Sequence, residues 1–398
     1  MAALAASSLP KSASHDDLAA LSISKSASDG AVASRGLARA QSFASTPSLA
    51  SLAGPPAPPL ELEERDAASG LKYVRCMLGA GAAADAPEPP VVFFAHGCAM
   101  NAGAWRGALA ALHAALCDGG RRLEAVAVDL PGHGRSPAAP AAPAGGGAPP
   151  GPDGGGGGAW RGVARALLEC LGEVAGDRPV LGVGHSFGAV CLLLAAVDAP
   201  DRFAGLALFE PIVAAAGHDA AAVAGDAQCL AALARARHEK LRAAPDLRAA
   251  LRSTLCAGWD PATARAFLDR GVRRGAPACA AATEAGVFAS MPETAGLASD
   301  LAAARARPRA VVAAGRRSGA LRRLAARDDL AKPHAHLRAL ESLAGALDCP
   351  RLRLKLPRTT TRGGLAIATD RGHALPMEDP PWTAAVVLAA ADAFLPRS

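Results

Sequence analysis

From about residue 71 onward the chain alternates short apolar runs with longer stretches of helical period. The runs LKYVRCML (71–78) and PVVFFAHG (90–97) predict strands, AWRGALAALHAALC predicts a helix, and LEAVAVDLPGHGRS predicts a strand running into a loop. PVLGVG, AVCLLLAAV and FAGLALFEPI continue as strand, helix and strand. Between 213 and about 300 the strand signal lapses and several helices are predicted. Strands return with RAVVAAG (309–315) and RLRLKLP (351–357), and PPWTAAVVLAAADAFL closes the chain as a helix opened by prolines. Apolar strands separated by helices imply a mostly parallel sheet covered on both faces. A helical insertion after a central strand of such a sheet lies over the carboxyl ends of the strands, where open α/β sheets bind ligands. The expected organisation is a core of residues 67–212 and 301–398 with a helical cap at 213–300.

Two segments carry no such pattern. Residues 1–66 are rich in Ala, Ser and Leu with scattered Lys and Arg, and read as a disordered tail. That composition fits a chloroplast or mitochondrial transit peptide, although Asp16, Asp17 and Asp29 are more acid than such peptides usually carry. The alternative is a regulatory tail on a cytoplasmic protein. Residues 137–158, PAAPAAPAGGGAPPGPDGGGGG, predict a surface loop within the core, because the helical pattern resumes at once in AWRGVARALLECL. No apolar stretch approaches the roughly 18 residues that span a bilayer, so a soluble, intracellular protein without a transmembrane segment is expected.

Composition narrows the chemistry. Aromatic residues make up 4% of the chain and Tyr73 is its single tyrosine, which excludes any mechanism built on paired tyrosines. The net charge is +6, but the densest arginine run, from Arg305 to Arg327, has no interleaved aromatics and no nucleic-acid module signature. A solvated face is expected there, and no nucleic-acid partner. Nine cysteines show neither a C-x-x-C pair nor Cys/His spacing suited to zinc, so they are read as reduced thiols with no metal site.

The sharpest motif is GVGHSFGAV at 182–190. An apolar strand leads into Gly184-His185-Ser186-Phe187-Gly188 and an apolar helix leads out, so the turn is tight enough to require glycine on either side of the serine. Ser186 then stands at a helix N-terminus, where backbone amides favour developing negative charge. A serine hydroxyl needs a base that is itself oriented by an acid. In DRGHALPMEDPPW, His373 follows the last strand and precedes the closing helix, where a loop can reach back across the sheet. His133, His334 and His336 lie in less suitable places.

With HGCAMNAGAW, DLPGHGRS, GHSFG and GHALPMEDP in this order, the chain resembles the α/β-hydrolase superfamily from about residue 71 to its end. The resemblance implies an eight-stranded, mostly parallel α/β sheet with a helical cap after strand six, no cofactor, and hydrolysis of an ester or related bond. It assigns the nucleophile to Ser186, the base to His373 and the oxyanion amides to Cys98 and Phe187, with His96, Gly97, Met100 and His185 lining the substrate site. The usual acid is missing, because GRRSGALRR has Ser318 and Gly319 where the carboxylate would stand. A subgroup with Glu-Pro after the preceding strand looks similar, and here ALFEPIV supplies Glu210. Asp328, Asp329, Asp348 and Asp370 are the competing acids. In the cap, Glu284 is expected to pair with Arg270, Arg273 or Arg274, and Trp105 and Trp259 to pack the cap interface.

Ser186 and the lone tyrosine argue against the dehalogenase and epoxide-hydrolase branches, whose nucleophile is Asp. The expectation is a serine esterase acting on a small molecule with an apolar acyl or ester group. The alternatives are a non-catalytic binding module on the same fold, or an acyltransferase or lyase using the same residues.

Overall fold

The computed structural model describes residues 58–81, 87–138, 159–213, 220–272, 277, 279–303, 307–316, 318, 335–350, 359–362, 365–368 and 370–396. Its strands are β1 (Glu63–Asp66), β2 (Lys72–Leu78), β3 (Val91–Ala95), β4 (Leu123–Val128), β5 (Val180–His185), β6 (Gly205–Phe209), β7 (Ala310–Gly315), β8 (Thr359–Arg362) and β9 (Leu365–Ala368). They form one sheet in the spatial order β1-β2-β4-β3-β5-β6-β7-β9-β8. From β4 through β9 the neighbours run parallel, while β2 and β8 pair antiparallel with the strands beside them.

The helices are α1 (Arg106–Gly119), α2 (Ala159–Ala175), α3 (Phe187–Asp198), α4 (Ala220–Ala243), α5 (Leu247–Ser253), α6 (Pro261–Gly271), α7 (Ala281–Ala289), α8 (Leu297–Ala303), α9 (Ala335–Ala346), α10 (Leu375–Glu378) and α11 (Pro380–Phe394). Side chains alternate across the sheet, as the pleat requires. Val91, Phe93 and Ala95 pack towards α2, α3 and α9, whereas Val92 and Phe94 pack towards α1 and α11. Every residue of β3 to β7 is buried, which is why these strands read as apolar runs broken only by Glu124 and His185.

The sheet has nine described strands where eight were expected. One addition, β1, falls within the segment read as a disordered tail. All four of its residues are exposed and Arg65 pairs with Glu63 at 2.6 Å, so it carries no apolar alternation to betray a strand. The others differ in place: β8 and β9 lie in RTTTRGGLAIATDRG, where no strand was expected, and the run expected at 351–357 lies outside the described residues. The Gly/Pro/Ala segment at 139–158 also lies outside them.

Helices α4 to α8 fall between β6 and β7. Helix α6 rests on the loop that leaves β3: the Asn101 side-chain amide donates to the Phe267 carbonyl at 3.0 Å, and a Cβ at Gly103 would stand 2.6 Å from the Ala266 oxygen. From the same helix, buried Arg270 donates through Nε to both oxygens of Asp129 at 3.0 Å, just beyond β4, and also pairs with Glu64 on β1. Of the arginines expected beside Glu284, Arg270 does not pair with it, because α6 faces the strand ends rather than α7, and Arg273 and Arg274 lie outside the described residues. Trp259 does pack in this layer, against Phe267 at 5.2 Å. Trp105 does not: it is fully buried on the sheet face, with ring centroids 5.1 Å from Phe94 and 6.4 Å from Phe209.

Asp260 opens α6 by accepting from the Thr263 amide and hydroxyl, both at 2.8 Å, with Pro261 at the first helical position. Replacing Asp260 with Ala is expected to cost about 1 kcal/mol. Urea unfolding checks this as a lower midpoint with an unchanged slope.

Candidate active site

Strand β5 enters a turn that only this sequence pattern tolerates. Ser186 takes φ 52° and ψ −117°, a conformation that costs a non-glycine residue about 1–3 kcal/mol. A Cβ at Gly184 would lie 2.4 Å from the Ala189 Cα, and one at Gly188 would lie 2.3 Å from the His96 carbonyl oxygen. Both positions therefore require glycine. The Ser186 amide donates to the Phe209 carbonyl at 2.9 Å, and α3 begins directly after the serine.

The three residues expected to act together are brought together. His373 Nε2 stands 3.0 Å from Ser186 Oγ, and His373 Nδ1 stands 3.2 Å from Glu210 Oε2. A carboxylate only accepts, so the proton sits on Nδ1 and leaves Nε2 to accept from the serine hydroxyl. Glu210 is fully buried one residue beyond β6, itself at φ 51°, with its amide donating to the Ala313 carbonyl at 2.8 Å. Its Oε1 accepts from the Gly315 amide and its Oε2 from the Ser318 hydroxyl, both at 2.6 Å. Ser318 thus stands where a carboxylate was looked for and instead holds the carboxylate that comes from the neighbouring strand. Of the competing acids, Asp348 lies at the opposite end of β7, with its amide donating to the Pro308 carbonyl, and Asp370 sits beside Arg371. Asp328 and Asp329 lie outside the described residues.

Several supporting contacts had no signal in the sequence. A Cβ at Gly315 would lie 2.4 Å from the carbonyl oxygens of both Arg371 and Gly372, so the end of β7 leaves room for the histidine loop. That loop is held from the other side by Glu378, which accepts from the Gly372 amide at 2.9 Å, and by Arg371, whose Nε donates to Asp379 at 3.0 Å. Burial raises the Glu378 carboxyl above its ordinary range.

The loop after β3 lies on the opposite side of Ser186. His96 is buried, with Nδ1 2.8 Å from the Gly97 oxygen and Nε2 accepting from the Leu130 amide at 3.0 Å. It ties this loop to the loop after β4. Burial, then the neighbouring His133 ring, hold His96 well below the usual imidazole range. Cys98 precedes Ala99, which has φ 60°. Among the described residues neither the Cys98 nor the Phe187 amide donates to a protein acceptor. Burial pushes the Cys98 thiol well up, which makes it a poor nucleophile. Met100 is buried against the α6 layer, and the Phe187 ring meets Trp160 edge-on at 4.7 Å.

His185 is buried, with its Nε2 2.8 Å from the His373 carbonyl oxygen; the ring donates there and fixes the backbone of the catalytic candidate. A Cβ at Gly97 would come within 2.7 Å of His185 Nδ1. Burial, then His373, lower its pKa to about 3. The unfolded value is about 6.5, so the stabilisation is complete above pH 6.5 and is lost as the pH falls towards 3. The expected loss is up to about 1.4 kcal/mol per pH unit from this one group. Thermal melts between pH 7 and 4 check it: the decline is expected to flatten in His185→Gln.

The matching family model, described as the alpha/beta hydrolase fold, spans residues 90–275. Solved structures repeat the architecture over most of the chain. The peroxisomal α/β-hydrolase Lpx1 of Saccharomyces cerevisiae superposes with a TM-score of 0.54 at 16% identity, covering 84% of this chain and 90% of its own. The chain has the α/β-hydrolase fold. The M. tuberculosis esterase Rv0045c aligns at 21% identity and TM-score 0.52, over 86% of this chain and 94% of that one. The epoxide hydrolase VrEH1 from Vigna radiata aligns at 13% identity and TM-score 0.54, over 84% and 98%. These likenesses show the fold, and no curated protein matches the chain. No helix among the described residues is long and apolar enough to cross a membrane, and no cluster of His, Cys, Asp and Glu among them is arranged to hold a metal ion.

Proposed function

We propose that the protein is a serine hydrolase acting on a carboxylic ester or related acyl bond. The observation that carries this reading is the continuous line from the Ser186 hydroxyl through the His373 ring to the buried Glu210 carboxylate, at 3.0 and 3.2 Å. His373 takes the serine proton as Oγ attacks the acyl carbon, and Glu210 stabilises the imidazolium that results. The tetrahedral oxyanion is held by the amides of Cys98 and Phe187, the second at the N-terminus of α3. His373 then passes its proton to the leaving alkoxide. Water activated by the same ring releases the acid and restores the serine. Helices α4 to α8 serve as the cap over this chemistry, with Met100 and the loop of His96 and Gly97 shaping the substrate side. The esterase named among the similar structures is compatible with this assignment, while the epoxide-hydrolase neighbour is not a guide to it, since the elbow carries Ser186 and Tyr73 is buried on β2 away from α4 to α8.

A fluorophosphonate probe tests the reading without knowledge of the substrate. Intact mass is expected to show one adduct on the wild type and none on Ser186→Ala. A folded wild type that takes up no probe overturns the reading in favour of a binding module on the same fold.

A further inference from the structure

Inside the segment between β6 and β7, α4 and α7 meet largely through alanines: Ala231, Ala234 and Ala285 pack together with Phe288 beside them. Into this apolar contact the chain places three ionisable groups. Glu284 is 1% exposed, pairs through Oε1 with Arg237, and through Oε2 lies 2.9 Å from His238 Nε2. A buried ion pair is a poor way to join two helices, because desolvation offsets most of the attraction and apolar residues of similar size hold as well. The charges therefore call for another explanation than packing.

Arg237 and His238 also line a hollow with Ala99, Leu241, Leu251 and Phe267. It measures about 340 Å³ counting its open mouth. Both Glu284 oxygens are engaged, whereas Arg237 donates only from Nη2; its Nε and Nη1 have no protein acceptor among the described residues. What the hollow offers a ligand is an apolar wall and a guanidinium edge. A planar carboxylate is the group that edge matches best. Ala99 follows Cys98 directly, and the Cys98 amide is where the acyl oxygen is held in the mechanism above. The hollow therefore adjoins the loop that carries this amide, on the acyl side of the proposed mechanism.

We propose that Arg237, held by Glu284, is a carboxylate subsite under the cap, and that the favoured substrates are esters whose acyl chain ends in a free carboxylate. This deepens the serine-hydrolase reading and rests on it for its kinetic readout. Glu284 keeps Arg237 neutralised while the subsite is empty and competes with the incoming carboxylate for the same guanidinium. That competition separates a ligand-binding role from a helix latch, because removing the Glu284 charge weakens a latch but strengthens anion binding.

The test compares p-nitrophenyl hydrogen glutarate with p-nitrophenyl pentanoate, two acyl chains of the same carbon count. The wild type is expected to favour the glutarate ester in kcat/KM by about tenfold. Arg237→Leu is expected to reduce that ratio at least tenfold, and Glu284→Gln to increase it. Free glutarate supplies a second readout that needs no turnover: it is expected to raise the Tm of the wild type, raise that of Glu284→Gln further, and leave Arg237→Leu unmoved. An unchanged ester ratio in Arg237→Leu, or equal stabilisation of that variant by glutarate, overturns the proposal. If Arg237→Leu fails to fold, Arg237→Lys and Glu284→Gln decide through the same ratio and the same Tm shifts. A protein that binds glutarate but takes up no fluorophosphonate retains the subsite and loses the hydrolase reading.

Discussion

Ser186→Ala is expected to lower kcat on any ester the wild type turns over by about 10⁴-fold or more, with substrate affinity little changed. The size follows from the proposed function, in which Ser186 acts as one unit with His373: what would remain is the oxyanion amides and binding, which in serine hydrolases leave only about 10³–10⁴ over water. The serine also holds a strained backbone, φ 52° and ψ −117°. Ser186→Gly relieves that strain, worth about 1–3 kcal/mol, less the roughly 0.5–1 kcal/mol of chain entropy that glycine costs. A higher melting temperature in Ser186→Gly, together with lost turnover, is the expected pairing. A variant that melts at or below the wild type shows that the turn is not storing strain at this position.

Glu210→Gln is expected to cut kcat by about 10³–10⁴-fold while leaving the fold intact. The substituted amide still accepts from the Gly315 amide, which lies 2.6 Å from Oε1. Its NH2 group then faces His373 Nδ1 in place of a carboxylate oxygen at 3.2 Å. An amide donor there draws the ring into the tautomer protonated on Nε2, which cannot accept the serine proton. The same logic in a trypsin-type triad costs about 10⁴. Ser318 provides the converse test, since its hydroxyl already touches Glu210 Oε2 at 2.6 Å. Adding Ser318→Asp to Glu210→Gln returns a carboxylate within reach of the same ring, and is expected to recover at least tenfold of the loss. Single-turnover kinetics separate this from a binding effect. Equal activity in Glu210→Gln and the wild type sinks the orienting role of Glu210.

The elbow was legible because its constraints are local. Gly184, Ser186 and Gly188 sit within five residues, and the steric reason for the glycines is the turn that those residues themselves make. The buried strands were legible for a similar reason, since a strand covered on both faces is apolar at nearly every position. Strand β1 was not, because an exposed edge strand is held by backbone hydrogen bonds that any sequence can make. Strands β8 and β9, four residues each, are too short to show a period against the threonines and glycines around them.

What the sequence by itself determined is the order of chemistry along the chain: an apolar strand, Ser186 on a glycine-flanked turn, Glu210 at the end of the next strand, and His373 before the closing helix. What only the tertiary structure decided is which side chains meet. Ser318 on Glu210, Glu378 under Gly372, Arg270 on Asp129 and Arg237 on Glu284 join residues from 6 to 141 positions apart. Periodicity and motif spacing report on neighbours along the chain. A buried carboxylate takes whichever donor the packed strands and helices bring within 3 Å, and that is fixed by how the sheet places its strand ends and how the helices cross above them.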